Sequence, residues 1–131
     1  MIGLDTNVLV RYIMQDDAAQ ALLANELIEA LTIDEPGFVP MVAVIELVWV
    51  LSSSFELVRS QIVQALELLL QTKEIRVENA DTVWSSVRLY RASAADFADC
   101  LIQRSAAAAG CTRTMSFDRG AVKNCAMTLV G

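Results

Sequence analysis

Histidine is missing from this chain of 131 residues, and its absence removes Ser-His-Asp triads, paired-histidine nuclease chemistry and His-ligated zinc together. Acid–base work therefore falls to carboxylates. Glycine is scarce and scattered: Gly3, Gly37, Gly110, Gly120 and Gly131 each stand alone, which excludes both GxGxxG and the Walker phosphate loop. Positive charge is also in deficit. Ten basic against 16 acidic side chains give a net charge of −6, which argues against holding nucleic acid through bulk positive charge, so a polyanionic partner has to be gripped locally.

The three cysteines, Cys100, Cys111 and Cys125, are odd in number and form no CxxC pair; they read as thiols suited to a reducing cytoplasm. The first residues carry no basic segment and meet a carboxylate at Asp5, so they do not read as a secretory signal. The most lipid-like stretch, residues 36–55, contains Pro36, Gly37, Pro40, Glu46 and three serines, which makes it a poor membrane span. A soluble, cytoplasmic protein is expected. With 55% hydrophobic residues in one domain's length, a single core over residues 1–131 needs no disulfide staple.

Residues 2–4 form a short apolar run ending in Asp5-Thr6-Asn7, three capping side chains, after which Val8, Leu9, Tyr12 and Ile13 recur at helical spacing. A second helical pattern covers about 16–32, with Leu22, Leu23, Leu27, Ile28 and Leu31 expected on one side and Glu26 and Glu29 turned away. Residues 38–40 suggest a strand and 41–51 an almost unbroken apolar helix. Further helices are expected over 58–72, 80–91 and 94–109, the last opened by Ser93 and closed by Gly110. Residues 75–77, 112–117 and 126–130 suggest strands. Short strands alternating with helices point to an α/β layer fold with a mainly parallel sheet, in which ligands collect at the strands' carboxyl ends. Asp5 and Asp118 each fall one or two residues beyond an expected strand, and project into that crevice if the two strands are neighbours.

Carboxylates are the chemistry on offer. Glu46 is the least comfortable, because its helical neighbours Val42, Ala43, Trp49 and Val50 are all apolar; it must either reach solvent at a helix edge or act on a cation. Asp5 can cap a helix, but Thr6 and Asn7 can do the same. Asp118 can equally serve as a turn or cap residue before Arg119-Gly120. Asp96 and Asp99 share a helix face, and Ser93 to Asp96 has capping-box spacing that gives Asp96 a structural use. Asp99 has no salt-bridge partner four residues on, where Gln103 stands. Carboxylates gathered in one crevice repel each other unless cations intervene, and oxygen-only donors select hard ions such as Mg²⁺ or Mn²⁺. Such ions activate water for in-line attack on phosphorus.

Four segments together resemble the PIN domain, the ribonuclease fold of VapC toxins in type II toxin–antitoxin pairs. They are Leu4 to Tyr12 with its DTN opening, Val44 to Leu51, Ala95 to Ile102, and Ser116 to Arg119. The resemblance implies a three-layer α/β/α fold with a central parallel sheet. It also implies hydrolysis of RNA phosphodiesters with Mg²⁺ or Mn²⁺, and catalytic, metal-binding acids at Asp5, Glu46, Asp99 and Asp118. By the same token Asp96, Asn7, Thr6 and Ser116 are accessory, a homodimer is expected, and a cognate antitoxin blocks the site. Arg11 and Arg119 lie nearest the motifs as phosphate contacts. Two other readings stand beside it. One is a phosphatase or phosphoacceptor with Asp5 as nucleophile, although Asn7 occupies the place of its usual second Asp. The other is a non-catalytic binding module.

Overall fold

The computed structural model describes residues 1–131, which divide into two compact units, Met1–Ala80 and Asp81–Gly131. In the first unit, β1 (Ile2–Gly3), β2 (Gly37–Val39) and β3 (Ile75–Val77) form a parallel sheet in that order, with Ile2 opposite Gly37 and Gly37 opposite Ile75. Gly37 has no room for a side chain: a Cβ there lies 2.8 Å from Leu4 Cδ1 and 2.9 Å from Leu31 Cδ1. The crossovers are helical, as parallel pairing requires. They are α1 (Thr6–Met14), α2 (Ala18–Glu29), α3 (Met41–Ser53) and α4 (Arg59–Gln71). Leu4, Leu9, Val39, Val44, Leu47, Leu51, Ile62, Leu66 and Leu69 are buried in this unit.

Helix α3 begins one residue after the sheet strand because Pro40 takes the N-cap position, where it offers no side-chain acceptor. The missing acceptor comes from a distant residue: Glu78, just past β3, takes the Met41 N–H on Oε1 at 2.8 Å. This bond ties the start of α3 to the end of the sheet, and α3 carries Glu46.

In the second unit, α5 (Ala80–Ala92) and α6 (Phe97–Ala108) are joined by an edge-to-face contact of Tyr90 with Phe97, ring centroids 5.5 Å apart. β4 (Met115–Ser116) and β5 (Thr128–Leu129) pair in parallel across α7 (Arg119–Cys125). Cys100 on α6 and Cys125 on α7 are fully buried, with Sγ atoms 3.9 Å apart. Burial pushes the Cys125 thiol up from its ordinary value. Gly110 adopts φ +96° just past α6, a conformation suited to glycine.

The α/β class with parallel strands is as expected, and several details differ. Each acid-bearing strand has its own partner: β1 pairs with β2 and β4 with β5, so the strands preceding Asp5 and Asp118 are not paired side by side. Helix α6 opens at Asp96 instead of Ser93, because the Asp96 carboxylate accepts two N–H groups, whereas Ser93 bonds back to the Leu89 carbonyl. On α2, Leu22 and Leu23 are exposed at 58% and 65%, and the inward face is Ala21, Ala24 and Ile28. The strand expected over 112–117 is reduced to two residues, as is that over 126–130.

Candidate active site

In the first unit, Asp5 stands two residues past β1, at the N-cap of α1. Its backbone carbonyl accepts from Val8 and Leu9, but its carboxylate makes no cap hydrogen bond and is exposed. Capping therefore leaves both side-chain oxygens free. Thr6 beside it is buried, and its Oγ1 has no hydrogen-bond partner. Asn7 is exposed and lines an apolar groove between α1 and α2 with Val8, Leu23, Ala24 and Leu27. Arg11 reaches the same groove, but its guanidinium is engaged: Nη1 meets both Asp16 oxygens at 3.2 and 3.0 Å, and Nε donates to Gln20 Oε1 at 2.6 Å.

Glu46 lies on an exposed edge of α3, so its carboxylate pays no burial cost. Val42, Ile45 and Trp49 share that exposure, at 65%, 40% and 67%. The opposite face, Ala43, Val44, Leu47 and Leu51, is buried and fixes the helix.

In the second unit three aspartates line one pocket of about 200 Å³, together with Ala94, Ala95, Gly120, Ala121 and Asn124. Asp96 caps α6 through Oδ1, which accepts from Ala98 at 2.8 Å and Asp99 at 3.4 Å. Asp118 caps α7 through Oδ1, which accepts from Gly120 at 2.8 Å and Ala121 at 3.3 Å. In each case Oδ2 is left for another partner. The Ser116 hydroxyl accepts the Asp118 N–H at 2.9 Å and so holds the turn that presents this acid. Asp99, on the first turn of α6, is half-buried. Burial first, then the charges of Asp96 and Asp118, push its carboxyl up from its ordinary value.

The donor set fits a divalent cation of the hard class. All the acids offer oxygen, and the pressure on Asp99 from two like charges is what a bound cation relieves. No three His, Cys, Asp or Glu side chains are gathered closely enough to hold an ion unaided.

Asn124 escaped the sequence reading. Its signal is its place on α7, four residues from Gly120 and three from Ala121, on the face that lines the pocket. Glu78, whose carboxylate caps α3, was likewise not legible from spacing alone.

Parallel strands, helical crossovers and acids at or just inside the starts of helices define an α/β protein with an acidic pocket. Residues 2–126 match the PIN domain family model, and the chain belongs to that family. It is also similar to a VapC ribonuclease of Aquifex aeolicus (strain VF5), 28% identical over 116 residues, which are 88% of this chain and 86% of that protein. No helix is long and apolar enough to cross a membrane.

Proposed function

We propose that the chain is an Mg²⁺- or Mn²⁺-dependent endoribonuclease, the toxin of a toxin–antitoxin pair, acting in the cytoplasm. Membership of the PIN domain family and the ribonuclease named among its relatives support this reading. The observation that carries it within this chain is the pocket of Asp96, Asp99 and Asp118, where Asp99 is held under the charge of its neighbours.

Asp5, Glu46, Asp99 and Asp118 are the acids required for cleavage and for binding the metal. When bound, Mg²⁺ or Mn²⁺ supplies Lewis acidity toward a phosphodiester and offsets carboxylate repulsion. Asp5 brings two uncommitted oxygens, while Asp118 is fixed in place by Ser116 and by the amides it caps. Asp96 holds the first turn of α6 and so orients Asp99. Asn7 and Thr6 flank Asp5 as accessory groups. Exposed apolar side chains at Leu22 and Leu23 on α2, and at Val42, Ile45 and Trp49 on α3, support contacts with an antitoxin and with a second copy.

The test is cleavage of single-stranded RNA by the purified chain. Cleavage in Mg²⁺ or Mn²⁺ that stops in EDTA and returns with excess metal is expected. Undiminished cleavage in EDTA, or none under any metal, removes the reading.

A further inference from the structure

The two units carry opposite charge. Residues 1–80 hold 12 acidic and four basic side chains, net −8, whereas residues 81–131 hold four acidic and six basic, net +2. A chain of net charge −6 thus has a net positive balance in one unit, and that unit contains the pocket of Asp96, Asp99 and Asp118.

Within the second unit, α7 combines the two features. Its Arg119 and Lys123 are exposed and enter no hydrogen bond or ion pair. They are four residues apart, so they share one side of the helix with Cβ atoms about 5–6 Å from each other. The adjoining side of the same helix, Gly120, Ala121 and Asn124, lines the pocket. Arg11 differs: its guanidinium must first give up Asp16 and Gln20 before it can bind a phosphate.

We infer that α7 is the element that grips the RNA backbone, Arg119 and Lys123 binding phosphates next to the one offered to the acidic pocket. The inference rests on the ribonuclease reading and adds to it the residues that hold the strand. An arginine fork and a lysine point charge suit phosphate oxygens, and neither has an internal carboxylate to compete. Such contacts are indifferent to base sequence, so they set affinity and its salt dependence rather than the choice of cleavage site.

The experiment is fluorescence anisotropy of a labelled single-stranded RNA with the full chain in EDTA, repeated across a fourfold range of salt. Arg119→Gln and Lys123→Gln are each expected to flatten the plot of log affinity against log salt by about 0.7. Together they remove about a sevenfold loss of affinity over that range, an effect equal for different RNA sequences. Arg119→Lys is expected to keep the wild-type slope, and so is Arg76→Gln, an exposed cation in the first unit. Wild-type slopes in both glutamine variants overturn the inference, as does an equal flattening by Arg76→Gln or equal competition by polyglutamate. If the wild type neither binds nor cleaves RNA, it is the ribonuclease reading that has failed.

Discussion

The Asp96 carboxylate accepts the backbone N–H of Asp99 at 3.4 Å, so one acid caps the helix whose first turn displays the other. A single residue therefore both builds the local structure and charges the pocket. The same arrangement recurs at Asp118, whose Oδ1 holds the start of α7. Capping and function compete less than they do on paper, because a carboxylate has two oxygens and the cap uses one.

Asp99 is the group whose titration reports on this crowding. Its carboxyl is pushed up from its ordinary value by burial and then by the charges of Asp96 and Asp118. The folded chain thus binds this proton more tightly than the unfolded chain does. The resulting stability is present at low pH and is lost as pH rises from the ordinary carboxylate value through the raised one. In metal-free protein, carboxyl NMR is expected to show Asp99 titrating late, and earlier in both Asp96→Asn and Asp118→Asn. An unchanged Asp99 titration in both variants contradicts the part assigned to the charges of Asp96 and Asp118.

The cap of α6 has its own signature in stability. Asp96→Ala removes the acceptor of two amides and is expected to cost about 1 kcal/mol in urea unfolding, whereas Asp96→Asn, which caps equally well, stays within a few tenths. Equal losses in the two variants show that charge, not capping, is what Asp96 contributes.

Helix α3 sets a buried leucine beside an exposed carboxylate. Leu47 is fully buried, and Leu47→Ala is expected to destabilise the protein by about 2–5 kcal/mol. Glu46 is exposed, and Glu46→Gln is expected to leave stability within about 0.5 kcal/mol. Chemical denaturation of both variants checks the contrast, and a large loss in Glu46→Gln places that carboxylate in the structure instead of the chemistry.

The thiols differ in reach. Cys111 is exposed, while Cys100 and Cys125 are fully buried against each other and burial raises the Cys125 thiol. Alkylation of the native chain followed by mass spectrometry is expected to give one adduct, on Cys111, and three after unfolding. Rapid native labelling of Cys100 or Cys125 means that α6 and α7 separate readily in solution.

Long periodic segments were legible in the sequence: α4 and β3 fall where the apolar spacing puts them, and α3 starts at Met41 as expected. Periodicity does not say which neighbours cover a face. Leu22 and Leu23 look like core because they are leucines, yet small residues, Ala21 and Ala24, make the close contact on α2. Glu46 looked uncomfortable for the same reason, since a run of apolar residues does not reveal that Val42, Ile45 and Trp49 stay exposed around it. The start of α6 turned on whether Ser93 or Asp96 won the amides, a matter of local geometry. Of the candidate acids, Asp96, Asp99 and Asp118 come together within one unit. Asn124 joins them through the placement of α7, whose helical spacing sets it on the face of Gly120 and Ala121.

The most direct measurement is the rate of RNA cleavage in Mg²⁺ by Asp5→Asn, Glu46→Gln, Asp99→Asn and Asp118→Asn, each checked for native circular dichroism. The account predicts a loss of at least about a hundredfold in every one, the scale of several kcal/mol of charge stabilisation. A wild-type rate in any of the four contradicts it.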